Sequence, residues 1–88
     1  MKTIWKFPLA IVETQDVLMP DLTKILTVQM QGDVPCLWAE CMPSKQVYLQ
    51  DIYIVRTGRK IPNEVSIYIG SFQKDGFVWH VYAGKYPS

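Results

Sequence analysis

The sequence predicts an all-β domain, a small antiparallel sandwich or partly open barrel of six to seven strands. Three observations carry this. Apolar and polar residues alternate with period two through most of the chain, as where Leu26, Val28 and Met30 share one face and Ile25, Thr27 and Gln29 the other. Turn-forming pairs, Gly32-Asp33 and Asp75-Gly76, punctuate these runs at short range. Helical spacing is confined to Val17, Leu18, Leu22 and Ile25, and Pro20 interrupts it.

Taken in order, Thr3, Trp5 and Phe7 alternate with Ile4 and Lys6 in a first strand that ends at Pro8. A shorter, more polar strand from Ile11 to Leu18 stops at Met19-Pro20-Asp21 and reads as a sheet edge, because proline removes a ladder donor. Lys24 to Gln31 places Leu26, Val28 and Met30 in the core. After Gly32-Asp33, Val34 to Met42 faces Leu37, Ala39 and Cys41 one way and Cys36, Trp38, Glu40 and Met42 the other. So short a connection makes these two strands antiparallel neighbours. Pro43-Ser44-Lys45 breaks the pattern before Gln46 to Thr57. There Val47 and Leu49 hold one parity and Ile52 and Ile54 the other, and a β-bulge near Gln50-Asp51 would reconcile them.

Thr57 to Glu64, TGRKIPNE, reads as a loop in which Gly58 permits unusual dihedrals and Pro62-Asn63-Glu64 is expected to form one helical turn. The strongest local signal follows it. Ser66 to Tyr82 is two aromatic and β-branched arms around Asp75-Gly76, a pair that supplies the positive φ angles of a two-residue type I′ hairpin.

The chain of 88 residues is one domain, 1–88, with a single modest core. Its 49% hydrophobic and 19% charged content suits a folded globule, and a net charge of +1 argues against an extended nucleic-acid surface. No apolar run reaches the 18 to 20 residues or so of a membrane span, and Lys2 and Lys6 flank no signal-peptide core; the expected location is the cytoplasm. Cys36 and Cys41 are five residues apart in one strand, on opposite faces, and read as two free thiols. Nothing near them supplies a zinc set, and neither a metal nor a cofactor is expected.

The segments Lys2-Thr3-Ile4-Trp5-Lys6-Phe7, Pro35-Cys36-Leu37-Trp38-Ala39, Thr57-Gly58, Ile61-Pro62, Tyr68-Ile69-Gly70-Ser71-Phe72 and Val78-Trp79-His80-Val81 form an ordered set along nearly the whole chain. This pattern resembles a family of small uncharacterised bacteriophage proteins, a domain of unknown function. Members often carry a histidine after the Thr-Gly, where this chain has Arg59. The resemblance implies a phage-encoded protein in the cytosol of an infected host.

For chemistry, His80 is the only histidine; on strand parity it shares a face with Val78 and Tyr82, opposite Phe77, Trp79 and Val81, and spacing alone places no nucleophile or acid near it. A hydrogen-bonding role outweighs a catalytic one, and the expected catalytic set is empty. Arg56, Arg59 and Lys60 gather three cations around Gly58, suited to a phosphate or carboxylate, although such a cluster is more often a solvated loop. Trp38 and Tyr68 are candidate stacking platforms, and surplus aromatic surface equally suits a protein interface. The candidate ligand-binding set is therefore Arg56, Gly58, Arg59, Lys60, Trp38, Tyr68 and His80. The leading expectation is a non-enzymatic binding protein that sequesters a nucleotide-type signal or blocks a host defence protein. The alternative is a structural or assembly accessory protein acting through protein contacts. A homo-oligomer is expected in either case.

Overall fold

The computed structural model describes residues 1–85, which form seven antiparallel strands: β1 (Thr3–Pro8), β2 (Thr14–Pro20), β3 (Lys24–Gln31), β4 (Val34–Cys41), β5 (Val47–Arg56), β6 (Val65–Lys74) and β7 (Phe77–Gly84). They make a three-stranded sheet ordered β1-β4-β3 and a four-stranded sheet ordered β2-β5-β7-β6. The sheets face each other as an open sandwich and do not close into a barrel. No helix among the described residues is long and apolar enough to cross a membrane.

The turns explain why these strands are neighbours. At the β6–β7 tip, Asp75 and Gly76 have φ of 55° and 80°, the two positive angles of a type I′ turn, whose twist matches that of the flanking strands. Gly32, at φ 59°, opens the two-residue β3–β4 turn. The β2–β3 connection passes from one sheet to the other through Pro20–Thr23, where the Thr23 N–H and hydroxyl both donate to the Pro20 carbonyl, at 3.3 and 2.6 Å. This turn requires φ 63° at Leu22, a side chain left 78% exposed. A leucine there carries a left-handed conformation with no burial to offset it.

The core lies between the inner faces. β4 contributes Leu37 and Ala39, β1 Phe7, β3 Val28, β2 Met19, β5 Ile52 and Ile54, β6 Phe72, and β7 Val81 and Ala83. Leu37 and Ile52 have no exposed surface and stand for opposite sheets; cutting either to alanine removes about 2–5 kcal/mol of packing. Cys41 follows Leu37 and Ala39 inward, whereas Cys36 is on the outer face of its sheet. Both are buried and free, and burial pushes the Cys41 thiol above its usual pKa, which leaves it unreactive. Over Cys36 the Lys6 ammonium donates to the Gln31 side-chain carbonyl, joining β1 to β3 across β4.

Two sequence expectations change. Leu26 is not a core residue: the β3–β4 register shifts between Ile25 and Thr27, so Ile25 packs on the core beside Val28 and Leu26 is 45% exposed. The bulge expected at Gln50-Asp51 does not form, because β2 and β5 pair without interruption from Thr14–Tyr53 to Pro20–Val47. Val47 and Leu49 lie on the outer face, about half exposed, and no facing has to be reconciled. The irregularities of the second sheet fall instead in β6, between Val65 and Ile67 and between Tyr68 and Gly70. The second strand is also shorter than its sequence suggests, since Ile11–Glu13 precede its pairing. β2 is a sheet edge, as its proline implies.

Two substitutions test the turns. Gly76→Val should cost on the order of 1–3 kcal/mol in urea melts, because a β-branched residue resists positive φ. Leu22→Gly should go the other way, stabilising by about 1 kcal/mol. A loss of stability in the second variant would show that Leu22 is not strained.

Candidate functional site at the β5–β6 loop

β5 ends at Arg56, and the chain reverses at once. The Arg59 N–H donates to the Arg56 carbonyl at 3.0 Å, with Gly58 at φ 92° in the third position of the turn, the pattern of a type II turn. The Thr57 N–H donates to the Val78 carbonyl at 3.1 Å, which fixes the root of the loop to β7. The loop ends in a second turn, in which the Val65 N–H reaches the Pro62 carbonyl at 3.5 Å. Both ends are held by backbone bonds, so the cations between them are presented from a defined base.

On the alternation of β5, Arg56 has the inward parity of Ile52 and Ile54, but it lies where the sandwich opens. Its guanidinium carbon sits 4.6 Å from the centre of the Phe77 ring, a cation–π contact. Phe77 in turn meets Trp79 edge-on at 6.0 Å, and Trp79 stacks on Phe72 at 6.5 Å, its ring N–H bonded to the Lys74 carbonyl. An aromatic chain thus leads from the core to the open end. A cavity of about 550 Å³ lies there, lined by Arg56, Arg59, Lys60, Glu13 and Trp79 over apolar residues that include Ile54. Glu13 arrives from the β1–β2 connection, whose carbonyl at this residue accepts from the Ile54 N–H at 3.1 Å. Among the described residues, Glu13, Arg56, Arg59 and Lys60 make no ion pair.

A smaller hollow of about 270 Å³ lies on the other side of the loop, bounded by Arg56, Gly58, Arg59, His80 and Tyr82. His80 is on the outer face of the four-stranded sheet, opposite the inward Val81 and Ala83 and on the same side as Tyr82. Its Nε2 is 2.8 Å from the Thr57 hydroxyl and its Nδ1 is 2.9 Å from the Tyr68 hydroxyl. The Thr57 hydroxyl also donates to the Val78 carbonyl at 3.2 Å. With that proton committed, Thr57 accepts from Nε2–H and Nδ1 accepts from Tyr68, so one neutral tautomer satisfies every group. His80 thus joins β7, β6 and the loop root.

Beside it, Tyr53, Tyr82 and Tyr68 occupy one row across β5, β7 and β6, with Tyr68 and Tyr82 edge-on at 5.1 Å. Tyr53 donates to the Asp51 carboxylate at 3.2 Å. Asp51 also accepts from the Gln50 amide and lies over Gly84 so closely that a Cβ there would collide with its carboxylate.

The structure brings together Arg56, Gly58, Arg59, Lys60 and His80 around the loop and attaches Tyr68 through His80. Trp38 is elsewhere. It lies on the outer face of the three-stranded sheet, paired across to Lys6 and Thr27, and its indole N–H is buried without a partner among the described residues. Sequence reasoning missed Glu13 and Thr57. Thr57 had a local clue, as a hydroxyl residue next to the loop glycine. Glu13 had none, since its placement depends on the β1–β2 connection folding back onto β5.

A family model described as Domain of unknown function (DUF7352) matches residues 1–88. No curated protein matches the chain, and no solved structure does.

Burial, and after it the neighbouring Asp51 carboxylate, raise the Tyr53 pKa above the usual 10.0. A raised folded value means that the neutral phenol adds stability in full below the unfolded value, and that this is lost as pH climbs through the folded one. Thermal melts of the parent should therefore fall more steeply above about pH 10 than those of Tyr53→Phe. Parallel curves would remove Tyr53 as a source of alkaline sensitivity.

Proposed function

We propose that this chain, which belongs to the DUF7352 family of domains of unknown function, is a non-enzymatic binding module that holds a small phosphate-bearing ligand of nucleotide type at the β5–β6 loop. One observation carries the reading: Arg56, Arg59 and Lys60 line a single cavity with Trp79 at the open end of the sandwich, and none of them is engaged in an ion pair among the described residues. Guanidinium groups pair with phosphate oxygens bidentately, an indole offers a stacking face, and about 550 Å³ falls within the size range of small-ligand sites. Among the described residues no carboxylate bonds to His80 to orient it as a triad base, and the module is read as a stoichiometric binder and not as a catalyst. In this reading the protein is phage-encoded and acts in the host cytosol, where it sequesters a nucleotide-type immune signal; phage origin is supported by the family resemblance of its motifs.

A specific feature favours a second reading, contact with another protein chain. Leu18 and Leu49 face each other on the outer side of the four-stranded sheet, 57% and 52% exposed, with Val47 beside them and the unpaired edge of β2 alongside. Exposed apolar surface next to an open edge suits a homo-oligomer, an assembly role or the blocking of a defence protein.

Calorimetry against a panel of linear and cyclic nucleotides separates the two. The parent should release heat with at least one member, and changing Arg56, Arg59 and Lys60 together to Gln should abolish it. Stability should change by no more than about 1–2 kcal/mol, since Arg59 and Lys60 are exposed and contribute little to folding while Arg56 loses one cation–π contact. No heat from any nucleotide, or equal heat from parent and variant, would transfer the assignment to the protein-contact reading.

A further inference from the structure

The cavity at the loop end contains one charge of the opposite sign. Glu13 lines it together with Arg56, Arg59 and Lys60, yet the carboxylate is more than 4.0 Å from each of these cations. Opposite charges on flexible side chains that share one small cavity ordinarily close into a pair. Here their backbones come from separately anchored segments: Glu13 is tied through its carbonyl to Ile54, and Arg59 through its N–H to Arg56. The cavity therefore presents hydrogen-bond donors with positive charge along the β5–β6 loop and a hydrogen-bond acceptor with negative charge on the β1–β2 connection, with Trp79 and Ile54 among the residues between. A ligand that satisfies both ends carries an anionic group at one end and hydroxyl donors some distance away. A simple anion would meet the cations but leave Glu13 facing it as a like charge.

We infer that Glu13 is the ribose-recognising residue of this site: its carboxylate accepts hydrogen bonds from the vicinal 2′- and 3′-hydroxyls of a ribonucleotide whose phosphate lies on Arg56, Arg59 and Lys60. The inference rests on the nucleotide reading above and narrows it from nucleotides at large to those with a free ribose diol. A carboxylate has two oxygens and bonds two adjacent hydroxyls at once, and such charge-assisted bonds are stronger than neutral ones. Glu13 is exposed in the free chain, and a ligand that covers it discriminates against the analogue without the hydroxyls, because the carboxylate then loses water and gains no partner.

The test is calorimetry of the whole chain with the four ribonucleoside 5′-monophosphates and their 2′,3′-dideoxy counterparts. The expected result is a preference of about tenfold or more for the ribo form of the base that binds. In Glu13→Ala that preference should collapse to near unity. The exposed side chain is not needed for folding, and a thermal melt that overlays the parent confirms that the comparison is fair. Equal affinity of ribo and dideoxy forms for the parent, or a preference that survives in Glu13→Ala, overturns the assignment of Glu13 while leaving nucleotide binding in place. Silence from all four ribonucleoside 5′-monophosphates also overturns the assignment of Glu13, while the wider panel of linear and cyclic nucleotides decides the nucleotide reading itself.

Discussion

Everything in this molecule follows from the need to bury two sheet faces against each other in a chain of 88 residues. A domain this small has one core, and each of its seven strands must give inward-facing residues to it. Period-two alternation is the only way an extended chain can do so while leaving a solvated face. Where strict alternation would put the wrong residue inward, the backbone gives way. The register shift in β3 brings Ile25 onto the core beside Val28, and the shifts in β6 place Gly70 opposite β3, where a Cβ would come within 3.1 Å of Val28. Burial sets the facing, and hydrogen-bond regularity yields to it.

The same constraint explains where charge collects. Arg56 continues the inward parity of β5 at the end of the strand, where the sandwich opens, and its guanidinium turns onto Phe77. The two connections that pass this end, the β1–β2 segment and the β5–β6 loop, carry Glu13, Arg59 and Lys60. A cavity with apolar walls and charged rims forms there because a sandwich has open ends, and side chains too polar for the interior gather at its mouth.

The outer face of the four-stranded sheet is stabilised differently, through polar groups that satisfy one another. Tyr53 bonds to Asp51, Tyr68 bonds to His80, and His80 bonds to Thr57. Asp51 is only 8% exposed and makes no ion pair among the described residues; it is held by the Gln50 amide and the Tyr53 hydroxyl over the bare backbone of Gly84. A network of this kind specifies register, because a one-residue slip of β7 would exchange His80 for a core residue and break both of its hydroxyl bonds.

The sequence by itself determined the class of fold, the antiparallel pairing of β3 with β4, the type I′ hairpin at Asp75-Gly76, the edge position of β2 and the shared face of His80 and Tyr82. These rest on interactions between residues close in the chain, where side-chain parity, proline and positive φ leave few alternatives. The cationic loop was legible for the same reason, as three charges and a glycine in sequence. Only the tertiary structure decided that Leu26 is outside, that β5 runs without a bulge, that Trp38 is remote from the loop, and that Glu13 and Thr57 belong to its surroundings. Each of these depends on which distant strand pairs at which register, and on how the two sheets meet. A local pattern leaves that choice open, because a strand shifted by one residue has the same composition with its faces exchanged.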